Sequence, residues 1–164
     1  MNRYKNLLLW VKNLHRLSML LKILDLVAVI FTVCAFAAVL IGAAISDLFY
    51  AVKLMAVCGI PFILVSLFRK ILNAPRPYEL FDDIYELPPK KKDGCSFPSR
   101  HVFSAFSIGT AICFIYPIVG SVILLFGVAM SLSRVLLGKH FPRDVIAGAL
   151  IGAVTSVIGM IIMI

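Results

Sequence analysis

Residues 98–144 read PSRHVFSAFSIGTAICFIYPIVGSVILLFGVAMSLSRVLLGKHFPRD. From Val102 to Ser133 not one charged side chain occurs. A single helix of that length would overshoot a bilayer, at about 1.5 Å of rise per residue. Pro117 and Gly120 fall near its middle, so the stretch predicts a hairpin of two membrane helices, 98–117 and 119–137, each completed by the polar residues at its outer end. Those polar ends hold two of the three histidines in the chain, His101 and His140, each in a segment that also carries arginine. A histidine with a carboxylate four residues on, as His140 has in Asp144, can be oriented as a nucleophile or a base. Arginine supplies the planar fork that grips a phosphoryl group. The pattern predicts a phosphate-binding catalytic site built into a membrane protein.

The rest of the chain agrees with a membrane setting. Its 164 residues suit one domain, 62% of them are hydrophobic and the mean hydropathy is +1.03, against roughly half apolar for a soluble domain. The net charge of +8 suits anionic lipid head groups, so membrane lipids are expected partners. No soluble basic module is evident, and nucleic acid is not an expected partner. Cys34, Cys58 and Cys113 lie in apolar runs and Cys95 stands alone in a polar loop, which suggests neither a disulfide framework nor a zinc site. No cleavable signal peptide is evident, because Arg3, Lys5, Lys12, Arg16 and Lys22 interrupt the first 22 residues.

Residues 1–22 mix leucines with those basic residues in a roughly helical pattern. They predict an amphipathic helix lying on the membrane with Trp10 at the interface, since a spanning helix would bury Lys12, His15 and Arg16. Further spans are expected at 26–45, 50–68 and 145–164, with Pro61 placed to kink the second. Residues 69–97, with Pro75, Pro77, Pro88 and Pro89, read as an active-site loop. The expectation is an all-α integral membrane protein, a single domain over 1–164 with five transmembrane helices and an interfacial first helix. Five crossings carry a consequence of parity. The N-terminus, the 69–97 loop, His101 and the 134–144 segment all fall on one face.

With those residues on one face, the chain resembles the type-2 phosphatidic acid phosphatase family, which shares its site with vanadium haloperoxidases. The family has three motifs, K-x6-R-P, P-S-G-H and S-R-x5-H-x3-D. The third is complete here as Ser133, Arg134, His140 and Asp144; the second is Pro98-Ser99-Arg100-His101, and the first is Arg69-x6-Arg76-Pro77. The resemblance implies a phosphatase-type helical bundle and a lipid phosphate substrate. It implies that His140 takes the phosphoryl group as a phosphohistidine and that Asp144 orients its ring. His101 would protonate the leaving oxygen and then activate water, while Arg69, Arg76, Ser99 and Arg134 hold the phosphoryl oxygens. Cationic side chains do this work, so neither a metal nor another cofactor is implied. Candidate substrates are phosphatidic acid, phosphatidylglycerol phosphate and an isoprenyl diphosphate such as undecaprenyl diphosphate.

The chain departs from the family at two positions. Arg100 replaces a glycine that lets backbone approach phosphate, and either blocks that approach or adds a guanidinium contact. Arg69 replaces lysine, keeping the charge and changing its geometry. Plainer roles suffice elsewhere. His15 reads as a surface group and Lys70 as an interfacial anchor. Glu79, Asp82, Asp83 and Glu86 read as a solvated lid loop, and Lys90, Lys91 and Lys92 as a lipid-surface patch. Asp144, after Pro142-Arg143, also suits the N-cap of the last helix. Two other functional classes share these residues: a vanadate-dependent haloperoxidase-like enzyme, which a halide-oxidation assay separates, and a catalytically silent membrane scaffold. Fifteen of sixteen Lys and Arg residues fall on the motif face, all but Lys53. The positive-inside rule makes that face cytoplasmic, whereas the resemblance points to the exterior.

Overall fold

Asp47 is the whole connection between the first two long helices. Its backbone is extended, and its carboxylate accepts hydrogen bonds from Phe49 N at 3.0 Å and Tyr50 N at 3.4 Å. It thereby caps the second helix at the point where the first one stops. The computed structural model describes residues 2–81 and 94–162. Its elements are α1 (Asn2–Asn13), α2 (His15–Ser46), α3 (Leu48–Leu72), α4 (Pro77–Leu80), α5 (Arg100–Cys113), α6 (Pro117–Leu136) and α7 (Pro142–Ile162). No strand occurs among the described residues.

Four stretches, 15–46, 48–80, 117–136 and 142–162, are long and apolar enough to cross a membrane. The all-α membrane architecture expected from the sequence is the one observed. The expected hairpin turns at 114–116, with Pro117 as the first residue of α6, where its missing N–H costs nothing. α5 comes out shorter than its expected 98–117 span. Its 14 residues rise about 21 Å, less than a hydrocarbon core of roughly 30 Å.

The N-terminal division also differs. The expected interfacial helix over 1–22 is two elements, broken at Leu14, and α2 begins at His15 rather than near Leu26. Charged residues weaken a case for membrane burial, but they do not stop a helix. At 32 residues α2 rises about 48 Å, so its first turns, with Arg16 and Lys22, extend beyond what a bilayer core needs. α1 is amphipathic as expected: Leu8 and Val11 are buried and Trp10 is exposed. It lies against α2 and α6. α3 continues through Pro61 and runs to Leu72, four residues past the expected end.

α5 is the hub, packed against α2, α3, α6 and α7, and its Val102, Phe103, Ala105, Ala111 and Ile112 are fully enclosed. Its closest partner is α7. There Asp144, Gly148, Gly152, Ser156 and Met160 recur every four residues as one buried stripe, and Ser156 Oγ lies 2.7 Å from Ser107 Oγ of α5. This pairing of helices brings the start of α5 beside the start of α7, where Ser99 N donates to Asp144 O at 2.8 Å. At the other end of α5, Leu54, Val57 and Cys58 of α3 meet Ala111 and Met160, with Tyr50 and Ile115 packed against them.

Candidate active site

Helix ends converge on one cavity of about 340 Å³. The last two turns of α3 bring Ser66, Arg69 and Lys70, and the connector after it brings Arg76. The 94–99 segment contributes Gly94 and Cys95, and the first turn of α5 contributes Arg100 and His101. Arg134 comes from the end of α6, and His140 from the connector to α7. Residues of all three motifs therefore share one wall-to-wall space. Ser99 and Asp144 stand just behind it, both fully buried.

His140 is 2% exposed. Its Nδ1 lies 3.3 Å from Ser96 Oγ and 3.7 Å from Asp144 Oδ2. The Ser96 hydroxyl donates its single proton to Asp144 Oδ2, so toward His140 it can only accept. That places the imidazole proton on Nδ1 and leaves the Nε2 lone pair free. Asp144 Oδ2 also accepts from Phe141 N at 3.0 Å. Asp144 is thus not the N-cap. It is the third residue of α7, reaching back to the capping position, and one carboxylate both closes the helix start and supports the histidine. Burial pushes the His140 pKa down to about 4, and the Arg76 and Arg134 charges act in the same direction against the opposing pull of Asp144. The ring is neutral at pH 7.

The other histidine is held differently. His101 Nδ1 lies 3.0 Å from Arg134 Nη1, and arginine can only donate, so here Nδ1 accepts. The two cavity histidines are therefore in opposite tautomers.

The arginines also split in duty. Arg69 lines the cavity, but its guanidinium donates to the carbonyls of Cys95, Ser96 and Pro98, clamping the loop that leads into α5. Arg76 Nε donates to Gly94 O at 3.0 Å, and its guanidinium lies over the Tyr78 ring. Glu79, expected in a solvated lid, instead accepts from Gly94 N at 2.7 Å; Asp82, Asp83, Glu86 and Lys90 to Lys92 lie outside the described residues. The Arg100 guanidinium sits over the Phe62 ring at 5.5 Å. Ser99 Oγ has no hydrogen-bond partner among the described residues, which leaves a donor unspent beside the cavity. No group of three or more His, Cys, Asp or Glu side chains suited to a metal occurs among the described residues.

Three contributors escaped the sequence reading. Ser96 bridges His140 and Asp144, and its nearness to Pro98-Ser99-Arg100-His101 was the available signal. Asp25 pairs with Arg134 and Lys139; it stands just outside the expected 26–45 span, and an acid beside such an apolar run is itself a signal. Tyr4 hydroxyl lies 3.0 Å from Val135 O and 3.1 Å from His140 O, and its ring packs on Phe81 and Phe141. Nothing in the sequence marks Tyr4.

Comparison with known proteins follows the same outline. The family model of the PAP2 superfamily matches residues 47–163. The chain is 32% identical over 101 residues to the Bacitracin transport permease protein BcrC of Bacillus licheniformis, covering 59% of this chain and 49% of that protein. It is 35% identical over 80 residues to the Undecaprenyl-diphosphatase BcrC of Bacillus subtilis (strain 168), covering 49% and 40%. The chain thus spans half or less of the length of these curated relatives. Among solved structures it is similar to Aquifex aeolicus LpxE, with a TM-score of 0.63 at 25% identity over 88% of this chain and 93% of that one. It shares the fold of a transmembrane PAP2-type phosphatidylglycerolphosphate phosphatase from Bacillus subtilis, with a TM-score of 0.58 at 18% identity over 95% and 90%. The match over 47–163 takes in every motif residue around the cavity, and by it this chain belongs to the PAP2 superfamily.

Proposed function

We propose that the protein is a membrane lipid phosphatase that hydrolyses a lipid phosphate or diphosphate monoester through a phosphohistidine on His140. The observation that carries this reading is a neutral, buried histidine with a free Nε2 lone pair at the wall of a cavity rich in arginine. In the first half-reaction His140 Nε2 attacks phosphorus, the P–N bond forms, the P–O bond to the lipid breaks, and His101 passes its Nε2 proton to the leaving oxygen while taking one from a protonated phosphoryl oxygen, so its ring stays neutral. In the second, water attacks phosphorus and passes a proton through His101 Nε2 to a phosphoryl oxygen, the P–N bond breaks, and orthophosphate and the free histidine result. Arg76, Arg100 and Arg134, with Ser99, bind the phosphoryl oxygens; Arg69 does so while holding the 95–98 loop in place. Fixed cationic donors of this kind supply most of the stabilisation in phosphoryl transfer. Asp144 and Ser96 keep His140 in the productive tautomer.

The relative named for undecaprenyl diphosphate and the neighbour named for phosphatidylglycerolphosphate define the first substrates to try. Phosphate release from a panel of phosphatidic acid, phosphatidylglycerol phosphate and prenyl diphosphates tests the reading, with His140→Ala as control. Release from at least one lipid is expected, falling about 10³-fold or more in the variant, since a covalent step loses its nucleophile. No release from any of them, or an undiminished rate in His140→Ala, overturns it.

A further inference from the structure

Asp25 lies a third of the way along α2, upstream of residue 47, where the family match begins. It shares the buried stripe of α2 with Leu21, Ala28 and Thr32. An ionised carboxylate in such surroundings is costly unless it is paired. Asp25 is paired twice. Oδ1 lies 2.8 Å from Arg134 Nε, and Oδ2 lies 3.2 Å from Arg134 Nη2 and 2.8 Å from Lys139 Nζ. The Asp25 and Arg134 side chains are both less than a tenth exposed. Of these guanidinium contacts Nη2 to Oδ2 is a hydrogen bond, while Nε and Oδ1 are close as an ion pair without hydrogen-bond geometry, and together they fix where the guanidinium sits. Nη1 lies on His101 Nδ1 at 3.0 Å.

We propose that Asp25 is a positioning residue of the reaction: by clamping Arg134 from behind, it fixes the guanidinium that holds His101 Nδ1 and so presents His101 Nε2 to the cavity. Asp25 does not touch the substrate. It acts through Arg134, and its neighbour Lys139 shares the same carboxylate, so a segment outside the matched family region completes the site. The inference rests on the phosphatase reading above.

Asp25→Asn keeps the shape and removes the charge. On a lipid phosphate, whose leaving oxygen needs a proton, kcat/KM is expected to fall about tenfold or more, and on an activated aryl phosphate, where only the Arg134 contact with the phosphoryl oxygens is disturbed, less than about threefold. In a His101→Ala background the same substitution is expected to cost less than about threefold on the lipid, because the two residues act as one unit. Nitrogen-15 spectra of the folded protein give a readout that a merely structural role would not move. His101 Nδ1 is expected in the unprotonated form in the wild type, with that single form lost in Asp25→Asn. Equal losses on both substrates, full additivity with His101→Ala, or an unchanged His101 tautomer overturn the proposal. If Asp25→Asn does not fold, Asp25→Glu carries the same cycle with the charge kept and displaced, and the same outcomes decide. A parallel His140→Ala separates the two readings. If that variant is inactive, additivity in the Asp25 cycle sinks the Asp25 role alone; if it retains full turnover, the reaction assignment falls and the tautomer measurement decides the clamp by itself.

Discussion

His140 sits where a base is hard to protonate: it is enclosed, and two arginine charges bear on it. Its pKa, lowered from 6.5 to about 4, has a definite sign. A depressed basic group is neutral in the folded protein at pH values where the unfolded chain already binds a proton. Folding stability attributable to His140 is therefore complete above pH 6.5 and is lost as pH falls from 6.5 toward 4. The nucleophile itself stays competent over that whole window. The expected outcome is that the His140 resonance of histidine-labelled protein stays in its neutral form down to pH 5. With three histidines in the chain, single substitutions assign every signal. A His140 midpoint near 6.5 would contradict the enclosure described above. Much of this site was legible beforehand, because the S-R-x5-H-x3-D spacing puts Arg134 and His140 at successive helix ends whatever the packing. Ser96 and Asp25 were not, since each reaches the site across a tertiary contact, between residues 44 or more apart in sequence, that no local spacing encodes.

At the scale of elements, the α5–α7 contact sets the distance between the second and third motifs. Its closeness depends on missing side chains. A Cβ on Gly148 would lie 2.6 Å from Ser99 O, and one on Gly152 would lie 2.4 Å from Phe103 O, both backbone atoms that cannot swing aside. Gly148→Ala is expected to push the start of α7 off α5, stretch the bond from Ser99 N to Asp144 O, and destabilise the protein by about 1–3 kcal/mol, in the range of other overpacked cores. Activity should fall with it. Gly42→Ala, where a Cβ meets nothing within 4 Å, should be neutral or slightly stabilising. Thermal melts and phosphate release on the two variants check this, and equal behaviour would sink the argument. The hairpin at 114–116 was readable because proline and glycine punctuate an uncharged run. The start of α2 was not readable. Hydropathy reports where a helix is buried, and the backbone bonds that carry α2 back to His15 are indifferent to Arg16 and Lys22.

At the scale of the molecule, the cavity is at one end of the bundle, and the cluster against which Tyr50 and Ile115 pack is at the other. We propose that α5 makes a fifth crossing despite its length. Its ends are continued by the 94–99 segment and by 114–116, and non-helical backbone is tolerated at depth where protein encloses it. Single cysteines at Arg3, Leu48, Tyr116 and Arg143, in a background without the four native ones, test the arrangement with an impermeant reagent. Leu48 and Tyr116 should label from one side, and Arg3 and Arg143 from the other. Tyr116 labelling with Arg3, and Arg143 with Leu48, would mean that α5 does not cross, and Arg3 labelling with Leu48 would mean that α1 does. In vesicles of known orientation the same experiment assigns the compartment that the cavity faces. The pairing of Asp25 with Arg134 and Lys139 also matters to anyone building chimeras. Grafting residues 47–162 behind another relative's leading helix would carry over every recognisable motif. It would leave behind the one carboxylate that balances two cations, and the hybrid would inherit the chemistry without the counterweight that aims it.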